Sequence, residues 1–219
     1  MNPGPLAGAT EDDKRVAAQA AAALVDDGMR VGLGTGSTVA HLLPALAERR
    51  LSIACVATSP RTEAAARALG LEVGPLESPA RLDIAIDGAD QVAPDGWLVK
   101  GGGGAHTREK IVAAAADRFV VIVDATKLVD ALRPPVPLEL LEFGLAATMA
   151  HLGTAHVRHG ERSPDGGVLV DFVGAVDDPT SLAARLAATP GVVEHGLFPP
   201  SMVDVVLVGD HGAVTRLTP

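Results

Sequence analysis

Met29-Arg30-Val31-Gly32-Leu33, running directly into Gly34-Thr35-Gly36-Ser37-Thr38, decides the fold of this chain. The first five residues make a short apolar strand. The next five are a loop of glycine and hydroxyl residues, and a helix is predicted from about Val39 to Arg49. Upstream, the alanine-rich run from Lys14 to Asp26 reads as a helix that Gly28 ends, behind a loose tail over residues 1–13. Strand, glycine-and-hydroxyl loop, helix is an arrangement that binds phosphate through backbone N–H groups and hydroxyls. The loop lacks the lysine of a nucleotide P-loop and is not GxGxxG, which disfavours nucleoside triphosphates and dinucleotides. An ordinary turn with Ser37 or Thr38 as N-cap accounts for the same residues, and both readings stand at this point.

Working outward, the pattern repeats. Ile53–Ala57 is a second strand, followed by a helix over roughly Arg61–Leu69, and Leu71–Val73 suits a short strand. Leu82–Ile86 is a strand that ends in Asp87-Gly88-Ala89-Asp90, whose paired carboxylates suit a polyol, a metal or a plain Asx turn. No histidine or third carboxylate lies nearby in the sequence at ligand spacing, which discounts the metal. Phe119–Val123, a buried strand, ends in Asp124-Ala125-Thr126-Lys127. Strands alternating with helices over residues 14–127 predict an open, mostly parallel sheet with helices on both faces. Ligands bind such sheets beyond the C-terminal strand ends, where these loops lie.

Between the last two strands, Trp97-Leu98-Val99 leads into Lys100-Gly101-Gly102-Gly103-Gly104-Ala105-His106-Thr107-Arg108-Glu109-Lys110. Four consecutive glycines lose much backbone entropy on folding and give no side-chain packing. Their use lies in bringing backbone N–H groups to a ligand at a helix N-terminus. Lys100 supplies a cation at one edge of the loop and Glu109 a carboxylate at the other. A base and a cation around an oxygen-binding loop suit proton abstraction beside a carbonyl. A flexible turn with a glutamate capping its helix is the alternative for this stretch.

After Leu132 the pattern changes. Arg133–Pro137 reads as an extended linker, followed by a helix over about Leu138–Leu152. Strands over Ala155–His159 and Val168–Val173, a helix over Pro179–Ala188 and a strand over Val192–Phe198 then give a small α+β unit of ferredoxin-like kind. Val203–Val208 is again a buried strand, placed to return to the first sheet. The expected division is therefore a Rossmann-like catalytic domain, residues 1–132 and 204–219, with a lid and oligomerisation domain, residues 133–203, inserted.

Composition narrows the function. The chain has 219 residues, of which 47% are hydrophobic and 2% aromatic, so its core is aliphatic. A net charge of −9 argues against nucleic acid and anionic membranes as partners. No apolar run reaches membrane-spanning length and the first residues lack a signal-peptide pattern, so a soluble, cytoplasmic protein is expected. The single Cys55 lies in an apolar strand and suits a buried, inert thiol.

Taken together, Gly34–Thr38, Asp87–Asp90, Lys100–Gly103, Arg108–Lys110 and Asp124–Lys127 resemble the signature segments of type A ribose-5-phosphate isomerases, in order and spacing. Pro190–Phe198 extends the resemblance, which covers the chain from Lys14 onward. It implies interconversion of ribose 5-phosphate and ribulose 5-phosphate through an enediolate, without metal or organic cofactor, by a homodimer or homotetramer. By position it makes Glu109 the general base. Asp87, Asp90 and Lys100 become its catalytic partners. Thr35, Gly36, Ser37, Thr38, Gly88, Ala89, Gly101, Gly102, Gly103 and Lys127 join them as substrate-binding residues, with Lys14 a weaker phosphate candidate. The chain departs from the family pattern at Glu142, at Asp165 and Gly167, and over Pro199–Val203. All fall in or beside the small unit, where they are expected to leave the chemistry untouched.

Overall fold

A computed structural model describes residues 11–76 and 81–219. The tail expected for residues 1–10 lies outside these. The first half alternates as the sequence predicts: α1 (Glu11–Ala22), β1 (Arg30–Leu33), α2 (Ser37–Glu48), β2 (Ala54–Ala57), α3 (Pro60–Ala68), β3 (Glu72–Val73) and β4 (Ile84–Asp87). The two-residue strands β5 (Gln91–Val92) and β6 (Leu98–Val99) follow, then α4 (His106–Ala114) and β7 (Phe119–Asp124). The second half runs β8 (Val136–Leu140), α5 (Leu145–Leu152), β9 (Ala155–Arg162), β10 (Val168–Phe172), α6 (Pro179–Ala187) and β11 (Val192–His195). It closes with β12 (Leu197–Phe198), β13 (Val205–Asp210) and β14 (Ala213–Leu217). Helix α1 starts earlier than expected. Glu11, Asp12 and Asp13, assigned to the tail, form its first turn, where acidic side chains complement the helix dipole.

Seven strands form the main sheet in the order β14-β13-β7-β4-β1-β2-β3, parallel except for the β13–β14 pair. From β1 the chain adds β2 and β3 on one side, then crosses to β4 on the other. The loops after β1 and β4 therefore flank a topological switch point, where parallel sheets open a binding crevice. Alternate side chains serve two cores, as a strand's period of two requires. Val31, Leu33, Ile84, Ile86, Val120 and Ile122 pack with α1 and α2 on one face. Ala85, Phe119, Val121 and Val123 pack with Val112 and Ala113 of α4 on the other. Cys55 is buried in the first of these cores.

Inserted between β7 and β13, β8-α5-β9-β10-α6-β11 forms an antiparallel sheet in the order β11-β8-β10-β9, the ferredoxin-like arrangement. Three expectations are corrected here. The single helix over Leu138–Leu152 is instead β8 followed by the shorter α5. Leucine and glutamate favour helices, but Val136, Leu138 and Leu140 alternate into the core of this unit, and burial overrides propensity. Second, Val192–Phe198 is two strands in two sheets. It breaks at Gly196, where a Cβ would lie 2.1 Å from the Lys100 carbonyl oxygen. Third, β6 belongs to a separate antiparallel sheet, β12-β6-β5, so Lys100 does not leave a strand of the parallel sheet.

Candidate active site

The site begins at the end of β1. Gly34 donates its N–H to the Ile86 carbonyl at 2.9 Å, which presses the loop against β4. A Cβ here would lie 1.9 Å from the Asp87 carboxyl carbon, so only glycine lets that carboxylate tuck beneath the loop. Asp87 Oδ1 then accepts the N–H of Thr35 at 3.0 Å and that of Gly88 at 2.7 Å. Helix α2 takes Gly36, at φ 151°, as its N-cap, and no side chain caps it. Neither Ser37 nor Thr38 fills that position. Among the described residues the first-turn N–H groups thus keep no side-chain acceptor, at the end of a helix where an anion is favoured. Gly36, Ser37 and Thr38 all line the cleft beyond them.

Asp87, Lys100 and Glu109 form a buried charged cluster, with side chains no more than 4% exposed. The Lys100 ammonium donates to Asp87 Oδ2 at 2.8 Å and to the Gly88 carbonyl at 2.5 Å. It also stands 3.0 Å from Glu109 Oε2. That contact lacks hydrogen-bond alignment, and Oε2 has no hydrogen-bond donor among the described residues. Burial pulls the Lys100 ammonium down, but the charges of Asp87 and Glu109 outweigh it and hold it above its ordinary range. Burial, reinforced by the Asp87 charge, pushes Glu109 up to about 8. Burial raises Asp87 too, opposed by Lys100 and by the N–H groups of Gly88 and Thr35.

Glu109 is not a capping residue. Ala105 is the N-cap of α4, with no side-chain cap, and the Glu109 N–H donates to the Ala105 carbonyl at 3.0 Å. Its carboxylate reaches the cleft, which Gly101, Gly102 and Gly103 of the glycine loop also line. Asp90 is exposed and holds this loop, accepting the Gly102 N–H on Oδ2 at 2.7 Å. Gly88, Ala89 and Lys127 complete the lining, and Lys127 has no carboxylate partner among the described residues. Lys14 is not part of the cleft lining; its ammonium pairs with Glu11 at 2.7 Å.

Several residues of this region carry no signal in the sequence. The Thr35 hydroxyl, read from sequence as a phosphate ligand, is 2.8 Å from both Thr58 Oγ1 and Ser59 Oγ and 3.2 Å from Thr62 Oγ1. Thr62, in the first turn of α3, donates to the Gly34 carbonyl at 3.0 Å, so four hydroxyls from two loops and a helix brace one another. Ser59 is also the N-cap of α3, its hydroxyl accepting the Thr62 N–H at 3.2 Å. His106 is fully buried with an unpartnered Nδ1, and burial lowers it to about 4, which leaves it neutral. The departure at Asp165 reaches α4: its carboxylate takes Arg108 Nε at 2.8 Å and Nη2 at 2.6 Å, one residue before Glu109. A residue expected to matter only within the small unit therefore ties that unit to α4.

Comparison with known proteins agrees with the fold. The family model for ribose 5-phosphate isomerase A (phosphoriboisomerase A) matches residues 54–212. A ribose-5-phosphate isomerase A of Halobacterium salinarum is 47% identical, over 96% of this chain and 98% of its own length. The structure of ribose 5-phosphate isomerase A from Methanocaldococcus jannaschii superposes with a TM-score of 0.90 at 36% identity, covering 96% of this chain and all of the other. A D-ribose-5-phosphate isomerase solved in complex with phospho-erythronic acid gives 0.91 at 34% identity, covering 96% and 100%. The chain is thus an α/β isomerase of sugar phosphates. It belongs to the ribose 5-phosphate isomerase A family, and ribose 5-phosphate is the sugar it isomerises.

Proposed function

We propose that Glu109 is the base that moves the proton between C2 and C1 of open-chain ribose 5-phosphate, giving ribulose 5-phosphate through an enediolate. The observation that carries this reading is the buried Glu109 carboxylate, raised to about 8, 3.0 Å from the Lys100 ammonium and lining one cleft with the glycine loop. A base is most effective when its pKa lies near the working pH, and a positioned one accelerates proton transfer by roughly two to four orders of magnitude. Glu109 takes the C2 proton and returns it to C1. Lys100 and the Gly103 N–H of the glycine loop face the oxygen on which negative charge develops, supplying donors already in place. Asp87 fixes Lys100. Asp90 orients a substrate hydroxyl and relays its proton. Ser37, Thr38 and the free N–H groups of α2 hold the phosphate, with Lys127 beside them, while Thr35 shapes the loop.

The same reading assigns residues 1–132 and 204–219 to the catalytic domain and 133–203 to a lid that also carries subunit contacts. Exposed Phe143 (94%) and Leu141 (53%) on that unit favour a homodimer or homotetramer. A cytoplasmic enzyme of the pentose phosphate pathway is the setting that suits this substrate. Running the reaction in D2O tests the proton transfer. Solvent deuterium at C1 of the ketose supports an exchangeable base and enediolate; product free of deuterium points to direct hydride transfer and rejects Glu109 as the carrier.

A further inference from the structure

The glycine loop is held from outside the parallel-sheet half of the molecule. Arg158, on β9 of the ferredoxin-like unit, donates from one nitrogen, Nη1, to the Gly101 carbonyl at 3.0 Å and the Gly102 carbonyl at 3.2 Å. Its remaining face is fixed by Asp171 on β10, with Nε to Oδ2 at 2.9 Å and Nη2 to Oδ1 at 2.6 Å. Both side chains are largely buried, 15% and 25% exposed, so this is not a loose surface pair. The Gly101 carbonyl also accepts the Gly104 N–H at 3.0 Å, which closes the loop into a turn.

In a trans peptide the C=O and the following N–H point in opposite directions. Arg158 draws the carbonyls of Gly101 and Gly102 to its own side, and this turns the N–H groups of Gly102 and Gly103 the other way. The first lands on Asp90 Oδ2 at 2.7 Å, a cleft residue. The second has no acceptor among the described residues and belongs to a cleft-lining glycine. Glycines have no side chains to hold such an orientation, and the loop would otherwise sample many others.

We infer that Arg158, locked by Asp171, is a positioning residue for the isomerisation. It sets the peptide orientation that aims the Gly103 N–H at the developing enediolate oxygen. This rests on the reading of the glycine loop as the oxyanion site. It also gives the ferredoxin-like unit a part in the chemistry besides covering it. A guanidinium suits the task because one face can be gripped by a carboxylate while a nitrogen remains for two carbonyls.

The test is Arg158→Met in the full chain, with ribose 5-phosphate kinetics and with dissociation constants for phospho-erythronic acid and inorganic phosphate. Its carboxylate makes phospho-erythronic acid a mimic of the enediolate, whereas phosphate reports on the α2 end alone. Losing one preorganised oxyanion donor lowers kcat by two to three orders of magnitude in other enzymes, so a misaimed donor is expected to cost about tenfold or more. KM and the phosphate constant are expected to stay within about threefold, and phospho-erythronic acid to weaken in step with kcat. A folded Arg158→Met with wild-type kcat overturns the inference, as does a loss confined to melting temperature. If that variant does not fold, Arg158→Lys decides, because lysine reaches carbonyls but cannot be gripped bidentately: reduced kcat at unchanged KM supports the inference and wild-type kcat overturns it. An active Glu109→Gln faults the site reading itself. An inactive Glu109→Gln beside a fully active Arg158→Met faults this inference alone.

Discussion

Lys100 Nζ stands 3.0 Å from Glu109 Oε2, yet aims its hydrogen bonds at Asp87 and the Gly88 carbonyl. Glu109 thus feels a nearby positive charge without receiving its proton. A carboxylate gripped by the lysine would be a poor base. One with no cation beside it would stay protonated at all working pH values. The shared lysine places Glu109 between these extremes, because its hydrogen bonds go to Asp87 and the Gly88 carbonyl instead.

The first expectation is a pH dependence. Glu109 must be ionised to accept a proton, and burial with the Asp87 charge holds it at about 8. The kcat/KM profile of wild-type enzyme should therefore fall on the acid side with a midpoint well above the ordinary carboxylate range. A profile flat down to pH 5 would contradict the assignment.

Stability should follow the same group with the opposite benefit. Its pKa is raised in the folded state, from 4.5 to about 8, so the native protein binds the extra proton between those values. Stability attached to Glu109 is then present at low pH and is lost as pH rises through that window. Glu109→Gln, which mimics the protonated form, should melt close to wild type at pH 5 and above it at pH 9. A variant less stable than wild type at pH 9 would speak against the raised pKa.

For the phosphate end, Ser37→Ala and Thr38→Ala should chiefly raise KM, each removing a charge-assisted hydrogen bond worth about 1.5–3 kcal/mol. Thr35→Ala should differ from both, since its hydroxyl is engaged by Thr58 and Ser59 at 2.8 Å. Loss of the brace should reach kcat as well as KM by disturbing the loop over Asp87. Unchanged KM in both the Ser37 and Thr38 variants would place the phosphate elsewhere.

Activity is also expected to survive exhaustive chelation, since among the described residues no group of three or more His, Cys, Asp or Glu is placed to hold a metal ion. Activity lost to EDTA and restored by a divalent cation would refute this.

Much of this was legible in the sequence because the informative residues are local. Glycine and hydroxyl residues after an apolar run mark a loop, and a run such as Phe119–Val123 marks a strand buried on both faces. What stayed hidden depends on contacts far along the chain. Arg158 lies 57 residues from Gly101, and nothing near it in sequence distinguishes it from a solvated arginine. Strand β8 is hidden because Leu138-Glu139-Leu140-Leu141-Glu142 suits a helix locally, and only its place between β10 and β11 makes it extended. Strand β14 is hidden because it is an exposed edge, with no apolar alternation to reveal it. The sequence also could not tell that Gly36, rather than a hydroxyl residue, occupies the N-cap of α2.

The most direct test of the central claim is kcat of Glu109→Gln with ribose 5-phosphate, alongside binding of the same substrate. Glutamine keeps the size of the side chain and its hydrogen bonding but cannot take the C2 proton. The expected result is a kcat at least about a hundredfold below wild type, with ribose 5-phosphate still bound and exchange of its C2 hydrogen with solvent lost in parallel. A Glu109→Gln enzyme with near-native kcat would contradict the account and move the base to Asp87 or Asp90.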